Sequence, residues 1–153
     1  MGQLGRSPTD LTRMSSERFV PTYGLTHLAI AVSSPARAFE FYEAVFGMVA
    51  VHRGPDVIQA QTPGARDALV FERSESVSIA DTGGIAHFGF RLQDPTSIDR
   101  AAELVVASGG TIEGRGEFVP GEPFLFARDR DGYLIEVWYE LPTAVDEANG
   151  ASS

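Results

Sequence analysis

The chain is written twice, and this limits its fold more than any other feature. The stretch "THLAIAVSSPARAFEFYEAVFGM" (26–48) can be laid over "AHFGFRLQDPTSIDRAAELVVASGG" (86–110). In each, a histidine opens an alternating run of strand type, a polar break with a proline follows (Pro35, Pro95), and an amphipathic helix comes next. Apolar residues recur at helical spacing at Phe39, Tyr42 and Phe46, and at Ile98, Ala101, Ala102 and Val105. Glycine stands after each helix, at Gly47 and at Gly109–Gly110, as a stop signal does. Further on, "DALVFERSE" (67–75) matches "DGYLIEVWYE" (131–140), setting Asp67 on Asp131 and Glu72 on Glu136. Each half therefore opens on a His-bearing strand and closes on a Glu-bearing strand, with a helix and further strands between.

Strand alternation then sorts the side chains by face. Leu28, Ile30 and Val32 form the core side of the first strand, leaving His27, Ala29 and Ala31 on the other. In the second half Phe88, Phe90 and Leu92 face the core, with His87, Gly89 and Arg91 opposite. In the closing strand Tyr133, Ile135 and Val137 pack inward, and Leu134, Glu136 and Trp138 share the histidine side, as Glu72 does with Val70 and Ser74. Small residues beside each histidine suit the lining of a cavity. A pseudo-twofold between the halves makes His27, Glu72, His87 and Glu136 candidates to converge on one point. Two imidazoles and two carboxylates suit one divalent ion: Zn, Ni, Co, Mn or Fe(II).

Composition narrows the options. With no cysteine, disulfides and thiolate metal sites are excluded. The 153 residues suit one globular domain, and a net charge of −9 argues against a nucleic-acid partner. No stretch reaches the roughly 20 apolar residues that span a bilayer, so no membrane association is expected. Residues 1–22 are polar and lack the apolar segment of a secretory signal. They read as a flexible arm, or one that docks on a neighbouring subunit; residues 142–153 read as a loose tail, and the cytoplasm is the expected location. "DRDG" (129–132) is a turn, with Gly132 supplying a positive φ, and no chemistry is assigned to it.

The motifs "LTHLAIAV", "FYEAVFGM", "IAHFGFRL" and "FARDRDGYLIEVWYE", taken together over residues 23–141, resemble the vicinal oxygen chelate superfamily. That group holds glyoxalase I, fosfomycin-resistance enzymes, methylmalonyl-CoA epimerase, extradiol dioxygenases and bleomycin-resistance proteins. The resemblance implies an α+β fold of two βαβββ modules, 23–80 and 84–141, forming a cup-shaped open barrel. It implies that His27, His87 and Glu136 are metal ligands, that Glu72 stands where glyoxalase I has a fourth, carboxylate ligand, and that the protein is a homodimer. Arg91 is a candidate for binding a substrate anion, and Phe124, Phe126 and Trp138 are candidates to line a pocket for an apolar or aromatic substrate.

The departures from the pattern matter as well. Ala29 stands where fosfomycin-resistance enzymes carry a threonine, and Phe126 falls near the place of the dioxygenases' acid–base tyrosine. Ala29–Ala31 replaces the region of the glutathione-binding arginine of glyoxalase I. The resulting expectation is a metal-dependent lyase or isomerase acting on a small oxygenated molecule. The ion stabilises an enediolate, and Glu72 or Glu136 shuttles the proton. The alternatives are Fe(II)-dependent extradiol-type ring cleavage and a non-catalytic binding module like the bleomycin-resistance proteins.

Overall fold

The computed structural model describes residues 23, 25–75, 80, 81, 83, 85–144 and 146. The arm expected over 1–22 lies outside them, as does most of the end of the tail. The first module runs β1 (His27–Val32), α1 (Pro35–Phe46), β2 (Val49–Arg53), β3 (Val57–Gln61) and β4 (Ala68–Arg73). The second runs β5 (Phe88–Arg91), a short 3₁₀ turn (Pro95–Ser97), α2 (Ile98–Ala107), β6 (Thr111–Glu117), β7 (Pro123–Arg128) and β8 (Leu134–Trp138). His87 therefore stands at the entrance of its strand rather than inside it.

Each module folds into a four-stranded mixed sheet, in the orders β1-β4-β3-β2 and β5-β8-β7-β6. The first and last strands of each module lie side by side and parallel, and the remaining neighbours are antiparallel. A parallel pair needs a long crossover, which the helix and the two middle strands supply. The two unclosed sheets and their helices make the expected α+β fold of two βαβββ modules.

Local signals place the helices. Ser34 caps α1 by accepting a hydrogen bond from the Arg37 amide at 3.3 Å, with Pro35 at the first turn. The helix stops at Gly47, whose φ is +66° and whose amide donates to the Glu43 carbonyl at 2.9 Å. On α2, Ile98, Ala101 and Val105 are buried, the face the periodicity marks.

The modules are joined through a common core. Phe41 and Tyr42 of α1 cluster with Val105 of α2 and with Ala127, Tyr133 and Ile135 of the second sheet. Full burial of each large side chain contributes roughly 1.5–3 kcal/mol. Hydrogen bonds cross the seam, among them the Tyr42 hydroxyl donating to Asp129 Oδ2 at 2.6 Å and the Tyr133 hydroxyl donating to the Ala31 carbonyl at 2.5 Å. Gly110 lies on the same seam. A Cβ there would come within 2.7 Å of the Arg128 carbonyl oxygen and 2.9 Å of Phe41 Cε2. Gly110→Ala is accordingly expected to lower stability by about 1–3 kcal/mol through overpacking, read as an earlier midpoint in urea. Among the described residues, no helix is long and apolar enough to cross a membrane.

Candidate metal and substrate site

Burial follows the alternation expected from sequence. Ile30 and Val32 are buried and Leu28 is half-buried against the core, while His27 and Ala29 are exposed. Along β8 the buried residues are Ile135 and Val137, with Leu134, Glu136 and Trp138 only partly covered. Each sheet thus turns one face to the helices and leaves the histidine-bearing face open.

On the open face of the second sheet, His87 Nε2 lies 2.9 Å from Glu136 Oε2. The glutamate side chain is 14% exposed and the imidazole 36%, so the carboxylate is set into the sheet and the ring reaches over it. The edge of His87 meets the Phe126 ring (centroids 5.1 Å apart, planes at 83°), and Phe126 stands opposite Glu136 in the register. The aromatic wall continues from Phe126 to Phe124 at 5.6 Å and from Phe124 to Phe118, stacked at 4.3 Å. Trp138 lies opposite Phe124 on one side and Arg91 on the other. Its ring crosses above Gly89, where a Cβ would come within 2.7 Å of Trp138 Cζ3. Only glycine leaves room for the indole.

Arg91 is not free. Its guanidinium makes a two-pronged ion pair with Asp146, Nη1 to Oδ1 at 2.9 Å and Nη2 to Oδ2 at 3.1 Å, and also donates to the Glu140 carbonyl at 3.2 Å. No local signal in "ELPTAVDEANG" marks Asp146 as that partner.

The first sheet carries His27 and Glu72 on its open face, but in a different register. Glu136 stands opposite Gly89, two residues past His87, whereas Glu72 stands opposite Ala31, four residues past His27. Val70, opposite Ala29, holds the place in the first module that Glu136 holds in the second. Glu72 therefore sits one pleat, roughly 6.6 Å, farther along its strand than the sequence match implies. It is exposed, and no hydrogen bond or ion pair joins it to His27 among the described residues.

His27 and His87 both border one open cleft of about 530 Å³, whose floor includes Leu28, Met48, Phe88 and Phe90. The four candidate ligands do not meet within a single chain. Among the described residues no three histidine, aspartate or glutamate side chains are grouped closely enough to hold an ion.

One buried acid went unmarked in the sequence. Asp129, in the turn between β7 and β8, is 5% exposed and accepts from the Tyr42 hydroxyl and from the amides of Asp131 and Tyr133. Burial raises its pKa against the pull of those bonds. The "DxDG" pattern marks the turn; only the packing of α1 against it shows the role of the carboxylate.

A family model described as the Glyoxalase/Bleomycin resistance protein/Dioxygenase superfamily matches residues 24–137. The chain belongs to this superfamily. By sequence the chain is similar to the Pseudomonas aeruginosa protein named Uncharacterized protein PA2024, 29% identical over 126 residues, which cover 77% of this chain and 89% of that one. Solved structures share the glyoxalase-superfamily fold. A glyoxalase/bleomycin resistance protein/dioxygenase family enzyme from Burkholderia phytofirmans matches with a TM-score of 0.64 and 19% identity, over 76% of this chain and 98% of that one. The fosfomycin resistance protein FosX from Mesorhizobium loti matches with a TM-score of 0.64 and 18% identity, over 79% and 95% of the two chains. Lactoylglutathione lyase from Agrobacterium tumefaciens matches with a TM-score of 0.61 and 22% identity, over 78% and 95%. The superfamily thus includes enzymes of more than one reaction type on this scaffold.

Proposed function

We propose that the protein is a metal-dependent enzyme of glyoxalase or epimerase type, moving a proton at a carbon beside a carbonyl of a small oxygenated molecule. The contact of His87 Nε2 with Glu136 Oε2 carries this reading: an imidazole and a carboxylate set against each other on an open face, a donor pair suited to a divalent transition ion. His27 completes the set. A divalent ion held by these residues would supply Lewis acidity toward the substrate's oxygens and so make the adjacent C–H more acidic.

His27 comes to this set from a second copy of the chain, and the protein acts as a homodimer. Three observations support that arrangement. Among the described residues, no three of the ligands group within one chain. β1 and β5 are both edge strands, each with a hydrogen-bonded neighbour on one side only. Leu25 and Ile85, at the mouth of the cleft that both histidines border, are 100% and 55% exposed. Apolar residues and open strand edges of this kind are what a partner subunit covers.

Glu72 is the base in this reading. Its place one pleat beyond the position matching Glu136 separates it from the ligand set, and the small side chain of Ala31 opposite leaves it room to reach a substrate. Phe126, lying against His87, has no hydroxyl to act as an acid, which favours proton transfer by a carboxylate over tyrosine-assisted ring cleavage. Phe124, Phe126 and Trp138 supply the apolar wall that keeps water from the reacting carbon.

The test is exchange of the carbon-bound proton of α-hydroxyketones and 2-substituted acyl compounds with D₂O, followed by NMR on metal-loaded protein. Glu72→Gln is expected to slow exchange by about 10²–10⁴-fold with metal content unchanged. Loss of metal in that variant would make Glu72 a ligand instead, and unaltered exchange would remove it from the reaction.

A further inference from the structure

The open face of the second sheet is ordered along β5. At one end is the His87–Glu136 pair, in the middle the Trp138 indole over Gly89, and at the far end Arg91. Four residues of strand separate His87 from Arg91, roughly 13 Å between Cα atoms. A flat ligand lying on the indole with an oxygenated end at His87 would present its other end to a guanidinium. In a chain of net charge −9, a cation on this face is the feature that selects an anion.

That guanidinium already holds two carboxylates, Glu140 just past β8 at 3.8 Å from Nε and, more closely, Asp146, which is of unusual origin. Arg128, also on this face, pairs with Glu113 of the neighbouring strand. Asp146 belongs to no strand. It lies beyond β8, in a segment tied down by the Tyr139 amide donating to the Pro123 carbonyl and the Leu141 amide donating to Glu122 Oε1. From there Asp146 reaches back to make the two-pronged contact that Arg offers any carboxylate. Beside the pair is an open cleft of about 660 Å³ bordered by Arg91, Leu92, Tyr139, Glu140 and Pro142, so a competing group has a way in.

The geometry points to Arg91 as the carboxylate-recognising residue of the substrate site, with Asp146 as an internal stand-in that a substrate carboxylate displaces. The substrate class is an aryl or similarly flat carboxylate with its oxygenated carbon at the other end. The hydrogen bonds from Arg91 hold the Asp146 carboxyl down at about 2, so at neutral pH the stand-in is a full anion. This inference rests on the proposed function only for the ligand's other end; the carboxylate site stands or falls by itself.

Trp138, the only tryptophan in the chain, lies opposite Arg91 and reports the site directly. The experiment titrates full-length protein with benzoate, and separately with neutral benzamide, following Trp138 fluorescence in wild type, Asp146→Asn and Arg91→Gln. Asp146→Asn is expected to bind benzoate about three- to fivefold more tightly than wild type, since an exposed ion pair of this kind competes modestly. Arg91→Gln should lose the preference for benzoate over benzamide. Equal affinity of wild type and Asp146→Asn for benzoate would overturn the displacement. Benzamide binding as well as benzoate would overturn carboxylate recognition. Metal content, measured on the same samples, separates failure here from failure of the metal reading: a chain that binds no ion yet prefers benzoate keeps this site and loses the other.

Discussion

Chains carrying His27→Ala and chains carrying His87→Ala are each expected to bind no stoichiometric metal, and after subunit exchange in a mixture to regain about a quarter of the wild-type sites. The arithmetic follows from twofold symmetry. If each site draws His27 from one chain and His87 with Glu136 from the other, half the dimers in an equal mixture are mixed. In a mixed dimer one site carries both substitutions and the other neither. A site built within one chain gives no recovery at all, because every chain then carries a damaged site. Elemental analysis after dialysis reads the result, light scattering checks the dimer, and far-UV circular dichroism checks that each variant is folded. Both histidines are exposed and outside the buried core, so the folded state tolerates their loss. Recovery at background would refute the two-chain site, and full metal content in His87→Ala alone would refute the ligand assignment.

The second large effect is on stability and concerns Asp129. Asp129→Ala is expected to cost about 3 kcal/mol or more, as an earlier urea midpoint, because it strands the Tyr42 hydroxyl in the core and removes the acceptor of two amides in the turn before β8. The ionisation carries its own signature. Burial raises the folded-state pKa of Asp129, and with the same first cause it raises that of Tyr42 well above 10. A raised folded-state pKa contributes stability that is fully present below the unfolded value and lost as pH rises through the folded one. For Asp129 the loss begins near the unfolded carboxylate value of about 3.9; for Tyr42 it begins near the unfolded phenol value of about 10. Asp129→Asn should therefore show a flatter stability profile than wild type on the acid side, and Tyr42→Phe a flatter one above pH 10. Parallel profiles for wild type and Asp129→Asn from pH 3 to 7 would show that the carboxyl is not perturbed in the folded state.

Much of this was legible in one dimension. The repeat carried the βαβββ modules, because a strand, a capped amphipathic helix and a glycine stop are each written locally, at Ser34, Pro35 and Gly47. Alternation carried the faces: the residues assigned inward on β1 and β8 are buried, or in the case of Leu28 half-buried against the core, and His87 and Glu136 fall together on the open side. Phe124, Phe126 and Trp138 are legible only as aromatic candidates to line a pocket; the register of β7 on β8 is what sets the two phenylalanines on the face of Glu136. The partners of long range were not. Asp146 meets Arg91 from 55 residues away, and Tyr42 meets Asp129 from 87.

Sequence alone assigned the side of the sheet taken by the residues of β1, β5 and β8, because that depends on a period of two and on neighbours a few positions away. Register between parallel strands is different. β1 and β4 are separated by a helix and two other strands, so their alignment is set by how α1 and the loops pack, and a shift of two residues keeps every side chain on its own face. Alternation cannot detect such a shift. The tertiary structure makes it, standing Glu136 beside His87 while carrying Glu72 one pleat past the matching place near His27.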